Sequence, residues 1–404
     1  MAEGKSPLLA VDDAMARLLE GVAPLPQEII SLFDAHGRVL AEPITARLTQ
    51  PPFDASAMDG YAVRAADAAA VPAKLTVTGE SAAGRGFSGT VGQGQAVRIF
   101  TGAPLPAGAD AVVIQEDTSR DGAIVTIKQA TFQGENIRTR GKDFQHGQIL
   151  LPAGHRLTAR DLMLAASSGH GTLPVCRRPR VAILATGDEL VPPGATPGPD
   201  QIVSSIPIGL ASMIVSAGGT PVPLGIARDT LTDLDAKIAG AADADILVTI
   251  GGASVGDHDL VQKALAARGL NLAFWRIAMR PGKPLMYGKL GAQRVLGLPG
   301  NPVSATLCAQ IFLLPLIRAL QGAEARVATT TGVLASPLPA NGPRQHYIRA
   351  RIVTHGSPLS VEPLPSQDSS LVASLARADC LIVQAANEPE LAAGRIVQLL
   401  RLEG

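Results

Sequence analysis

Four short segments of this chain place glycines, hydroxyls and carboxylates where an apolar run stops. Residues 245–259 read Asp-Ile-Leu-Val-Thr-Ile-Gly-Gly-Ala-Ser-Val-Gly-Asp-His-Asp, an apolar strand that ends at Gly251 and Gly252. Without Cβ atoms such a turn lets backbone N–H groups approach an anion, and the helix that follows adds the positive end of its dipole. A tight structural turn is the alternative reading of a lone Gly-Gly pair. Residues 181–185 run into Thr186, Gly187, Asp188 and Glu189, and residues 220–226 run into Asp229. There Thr230 is placed to cap a helix over 231–239. Residues 294–298 lead to Pro299, Gly300 and Asn301, with Asn301 as N-cap and Pro302 as the first residue of a helix through about Leu320. Ligands of open parallel sheets bind outside the carboxyl ends of the strands, so these turns are expected to face one crevice.

The charged residues near them suggest what the crevice holds. Glu189, Asp229, Asp257 and Asp259 would make one side acidic, and Arg280 and Lys283 the other basic. Carboxylates beside phosphates repel unless a hard cation lies between them, which points to Mg²⁺. The plain alternative is that each acid caps a helix and faces solvent. No G-x-x-x-x-G-K-[ST] string and no G-x-G-x-x-G opening a helix is present, so neither standard nucleotide cradle applies. No Ser–His or Cys–His constellation is evident.

The elements that must carry these turns change texture along the chain. Apolar strands of about five residues alternate with helical patterns over 180–325, which predicts a doubly wound α/β domain. Short strands between Gly/Pro turns over 51–143 predict a small inserted β domain, and those from about 326 onward a small β-barrel. Helices are expected over 8–20, 28–40 and 158–168. The resulting division is 1–50 with 144–178 as a discontinuous helical linker domain, 51–143, 179–326 and 327–404. A 404-residue chain with 46% hydrophobic and 17% charged residues can bury sizeable cores. Balanced charge, 35 basic against 35 acidic, and 3% aromatics argue against a nucleic-acid groove. No signal-type start and no span-length apolar run are seen, so no membrane role is expected. Cys176, Cys308 and Cys380 lie far apart, as buried fillers in a reducing cytoplasm would.

Two loops of the inserted domain differ from ordinary turns. Residues 50–63 carry Asp54, Ser56, Asp59 and Gly60 with little reason to be a core strand, and residues 98–110 carry Thr101 and Gly102 among prolines. Stiff loops hold polar side chains at low entropic cost, which suits binding. Asp59 and Thr101 serve equally well as turn caps on composition alone.

Seven strings in order, PPFDASAMDGYAV (51–63), RIFTGAPLPAGAD (98–110), GENIRTRGKD (134–143), ATGDEL (185–190), GGASVGDHD (251–259), MRPGKPLMYG (279–288) and LPGNPVSA (298–305), closely resemble the MoeA family of molybdopterin molybdenumtransferases, which includes the gephyrin E-domain. The resemblance covers nearly the whole chain. It implies Mg²⁺-dependent insertion of molybdate into adenylylated molybdopterin, with release of AMP. It implies that Thr186, Gly187, Asp188, Gly251, Gly252, Ser254, Gly256, Pro299, Gly300 and Asn301 hold the nucleotide or pterin phosphates. Glu189 and Asp259 would bind Mg²⁺, with Asp229 close by. Arg280, Lys283, Ser304, Arg349 and Ser374 would form the molybdate pocket, where cations and hydroxyls supply donors to an oxyanion. Asp59, Thr101 and Asp143 would come from the second subunit of a homodimer. A molybdenum-cofactor chain of this kind would work with a molybdopterin adenylyltransferase and with molybdoenzyme maturation factors. Attack by a molybdate oxygen at phosphorus fits better than a nucleophilic side chain, with Asp59 or Asp143 orienting molybdate or water.

Three positions depart from the family pattern. Ser204-Ser205-Ile206 stands in place of an Asp-Ser/Thr-Asn triplet, Arg280 in place of a frequent lysine, and Ala373 in place of a serine. Other readings are a non-catalytic scaffold, a pterin adenylyltransferase and a CinA-like nucleotide hydrolase. The last two would not need the 51–143 domain, and a scaffold would release no AMP.

Overall fold

The computed structural model describes residues 8–252, 260–354, 356 and 358–402. Its central sheet has six strands in the order Thr220–Ala227, Arg180–Thr186, Ile246–Ile250, Gln293–Leu298, Met286–Leu290, Asn271–Trp275. The first four are parallel, and the last two form an antiparallel edge. Ile246–Ile250 is buried along its whole length, the mark of a strand covered on both faces. Val181, Ile183 and Val248 pack with Leu210, Met213 and Ile214 of helix Ile206–Ser216 and with the helix Pro302–Leu320. Ala182, Leu184 and Leu247 face the other way, against Leu234 and Ile238 of helix Leu231–Ala239 and Val261 and Leu265 of helix Leu260–Ala267. The doubly wound expectation is met, with four β–turn junctions at one sheet edge.

Helix Pro302–Leu320 alone among the described helices has a span's length and apolarity, but 83% of its most apolar window is buried inside the protein. It is a core helix, apolar all round because sheet, neighbouring helices and barrel surround it. The first helix, Val11–Leu19, sets Val11, Ala14 and Leu18 against this same core rather than the linker's.

The linker is more mixed than expected. Residues 28–40 form no helix: Gln27–Ser31 is a strand antiparallel to Thr172–Cys176, followed by a short 3₁₀ turn. The apolar residues there have period two, Ile30 and Leu32 packing inward while Ile29 and Phe33 are exposed, and strand pairing decides the outcome. The helix Ala159–Ser167 does form, with Thr158 N and Oγ1 each 2.7 Å from Asp161 Oδ2 in a capping box.

The inserted domain is a six-stranded sheet ordered Ala111–Ile114, Gly60–Val63, Gln95–Ile99, Ala73–Ser81, Ile124–Ile127, Thr118–Asp121. Gly60–Val63 is fully buried, so the second half of the 50–63 segment is a core strand after all. A Cβ at Gly60 would lie 1.9 Å from the Val113 carbonyl oxygen, and this approach is open only to glycine. At the C-terminus Gln345–Thr354 pairs with both Leu359–Pro363 and Cys380–Gln384, which closes a five-stranded barrel, as expected. Met279–Arg280 adds to it in parallel through Gln345 and His346.

Candidate active site

A cavity of about 950 Å³ opens at the carboxyl ends of the parallel strands. It brings together the expected Thr186, Gly187, Glu189, Asp229, Gly251, Gly252, Gly300 and Asn301. Gly251, at φ 89°, donates its N–H to Leu298 O at 3.1 Å, and a Cβ there would lie 2.9 Å from Thr186 O and Oγ1. The two strand ends can touch only because this side chain is missing. Gly187, at φ 147°, plays the same part for an acid: a Cβ would meet Glu189 Oε2 at 2.4 Å. Asp188 turns away to accept the Asp229 N–H on Oδ1 at 3.2 Å, which fixes the neighbouring turn. Thr230 caps its helix through the Asp233 N–H at 3.3 Å, as its position predicted. Asn301 holds the N-cap position but does not cap. Its Nδ2 instead donates to Ser369 Oγ at 2.9 Å, because the barrel loop packs on this helix end and Val303 N also donates to Ser369 O at 3.1 Å. Pro299 belongs to the same turn without lining the cavity. Ser254, Gly256, Asp257 and Asp259 lie outside the described residues.

The opposing basic wall is not found: no Arg or Lys is among the described lining residues. Arg280 and Lys283 are exposed, and Arg280 sits on the strand that joins the barrel. Its charge there falls on His346, whose pKa burial, with Arg280, Arg344 and Arg349 adding repulsion, pulls down to about 4. Arg349 is only 1% exposed and spends its guanidinium on three carbonyls, Leu371 O at 3.3 Å, Ser366 O at 3.2 Å and Asp368 O at 2.9 Å. Ser304 is buried in its helix, and Ser374 Oγ donates to Ser366 O at 3.5 Å. Thus Arg280, Lys283, Ser304, Arg349 and Ser374 do not line this cavity. The barrel's contributions are Ser370, whose N and Oγ donate to Asp368 Oδ1, and Val372. Both escaped the sequence reading, as did the apolar lining by Leu190, Ile202 and Val203. Ile206 and its neighbours Ser204 and Ser205, the departing triplet, also line it.

On the inserted domain, Asp59 Oδ1 accepts from Thr101 N at 2.8 Å and Thr101 Oγ1 at 2.9 Å. These two hydrogen bonds, the backbone one first, hold its carboxyl below the usual range. Asp143 lines a separate cleft of about 560 Å³ with Phe53, Gly102, Arg138 and Lys142. Among the described residues, none from 51–143 lines the larger cavity.

Comparison with known proteins fits this arrangement. Residues 9–169 match the MoeA N-terminal region (domains I and II), 182–319 a probable molybdopterin binding domain, and 331–402 the MoeA C-terminal region (domain IV). The chain belongs to the MoeA family. The molybdopterin molybdenumtransferase of Nostoc sp. is 38% identical over 386 residues, spanning 93% of this chain and 88% of the relative. That of Bacillus subtilis is 34% identical over 99% of this chain and 95% of its own. Two solved structures of a molybdopterin biosynthesis moeA protein from Pyrococcus horikoshii, 30% and 26% identical, superpose with TM-scores of 0.84 and 0.85 over 98% of this chain and 100% of theirs. Members of the MoeA family therefore share this fold from first helix to barrel.

Proposed function

We propose that this chain is a molybdopterin molybdenumtransferase, which inserts molybdate into adenylylated molybdopterin and releases AMP in molybdenum cofactor biosynthesis. The observation that carries the reading is the strand-end cavity that joins Gly187, Gly251, Gly252 and Gly300 with two carboxylates, in a chain matched to this family along its length. Adenylyltransferase and CinA-like readings leave the N-terminal and C-terminal matches without a purpose.

Glu189 and Asp229 are hard oxygen donors lining one cavity, and Gly187 leaves the space that Glu189 occupies. One or two carboxylates plus substrate phosphate are what Mg²⁺ usually takes. These residues suit Mg²⁺, which when bound neutralises the phosphoryl oxygens and the leaving group. The turns at Gly252 and Gly300 hold the phosphates through backbone N–H groups, while the Gly187 and Gly251 N–H groups are spent on Ala227 O and Leu298 O and these two glycines serve by leaving room. Ile206, Ile202 and Val203 give the flat ring an apolar wall. A molybdate oxygen attacks the adenylyl phosphorus and breaks the phosphoanhydride, which frees the pterin phosphate and leaves molybdate joined to AMP. The two dithiolene sulfurs then bind the molybdenum and AMP leaves with the bridging oxygen, taking up a thiol proton. Asp59 or Asp143 orients molybdate or a water molecule. These two acids and Thr101 reach the cavity of a second subunit in a homodimer. Two facts support that arrangement: the inserted domain contributes nothing to the described lining of its own cavity, and Ile29, Phe33 and Met163 are 63%, 99% and 74% exposed on the linker. Large apolar side chains left open on the linker suit a surface that a second subunit covers. The enzyme works in the cytoplasm, receives its substrate from the adenylyltransferase and passes the cofactor to maturation factors.

Purified protein supplied with adenylylated molybdopterin, Mg²⁺ and molybdate should release AMP without consuming ATP. A protein that binds the pterin and releases no AMP is a scaffold, and one that needs ATP is an adenylyltransferase.

A further inference from the structure

Arg98 lies at the end of strand Gln95–Ile99, two residues before the turn that carries Thr101. Its guanidinium carbon stands 5.2 Å from the Tyr61 ring centroid and 4.9 Å from that of Phe100. Nη1 donates to Gly60 O at 3.2 Å and Nη2 to Gln115 Oε1 at 2.7 Å. Gln115 in turn donates its backbone N–H to Asp59 O at 3.0 Å. One planar side chain thus ties together three pieces of backbone around Asp59: the strand that begins at Gly60, the strand that leads to Thr101, and the turn at Gln115. Of the Asp59 carboxylate, Oδ1 is taken by Thr101, and Oδ2 receives no hydrogen bond among the described residues. The direction of Oδ2 is therefore set by backbone that Arg98 clamps.

We propose that Arg98 is a positioning residue, which aims the free oxygen of Asp59 by holding Gly60 O and the Gln115 side chain while its guanidinium packs on the Tyr61 and Phe100 rings. The idea rests on the role given above to Asp59. Lysine keeps the charge but has neither the fork nor the flat face that this site uses. Thr101 belongs to the same device, as the group that fixes Oδ1.

The test is a double-mutant cycle on AMP release, with R98K, D59N and the pair. Alone, R98K should lower kcat by about tenfold with KM little changed, the effect of one lost charged hydrogen bond. In the D59N background R98K should cost nothing further, because the group it aims has already lost its charge. Q115A, at an exposed position, removes the Nη2 acceptor together with a 3.4 Å bond to Glu116 Oε1 and should show a smaller kcat loss with the same disappearance in D59N. A full R98K loss that persists beside D59N overturns the proposal. Full activity of D59N itself overturns the role of Asp59, and it is distinguished by appearing without any change at Arg98. If R98K fails to fold, the Q115A cycle decides in the same two ways.

Discussion

Gly187 shows how much a missing methyl can matter to a site. Its φ of 147° is poorly tolerated by side chains, and a Cβ would stand 2.4 Å from Glu189 Oε2 and 2.8 Å from Glu189 Oε1. A carboxylate end can swing away, so G187A should fold with moderate destabilisation and displace Glu189 instead. If Glu189 holds Mg²⁺, the metal concentration that half-saturates AMP release should rise about tenfold or more, the scale on which disturbing a metal ligand's support acts. An unchanged Mg²⁺ dependence would remove Glu189 from the metal site. At this scale the glycines and acids of the cavity were legible, because strand-end chemistry shows in local sequence. Arg349 was not. Its type suits an oxyanion, and only the fold reveals that three carbonyls already occupy it.

Among elements, the joint between the α/β domain and the barrel is the most telling. Met279–Arg280 pairs with Gln345 and His346, so the barrel strand carries a buried imidazole, 8% exposed, beside Arg280, Arg344 and Arg349. The folded protein keeps that ring neutral down to about 4, whereas in the unfolded chain it titrates near 6.5. The unfolded state therefore binds the proton first. Stability conferred by the neutral ring is complete above 6.5 and drains away as pH falls toward 4. Between pH 7 and pH 4.5 wild type should lose on the order of 2 kcal/mol more than H346Q in denaturant titrations. Parallel losses in the two proteins would contradict this. Elements that bury two faces, such as Ile246–Ile250, were readable from composition alone. Gln27–Ser31 was not, since its inward and outward apolar residues satisfy either period over so few positions, and its partner lies about 150 residues away.

For the whole molecule, the fold separates two sets of candidate site residues. The α/β domain and the barrel loop carry Glu189, Asp229, Gly251 and Ser370 around one cavity. The inserted domain carries Asp59 and Thr101 in turns beside its own sheet and Asp143 in a different cleft. The order of domains could be read from texture, but not this separation, because composition does not say which surfaces meet. If two chains complete each other's sites, residues from the two sets must act across the interface. Co-expression of D59N and E189Q chains with different tags tests this directly. Each homodimer should retain only a small residual rate. The mixed dimer has one site in which intact Glu189 faces intact Asp59 and one in which both are changed, so purified mixed dimers should regain about half of wild-type AMP release. Mixed dimers no more active than both parents would place Asp59 and Glu189 in the same chain's site, or in no common site, and would contradict the account.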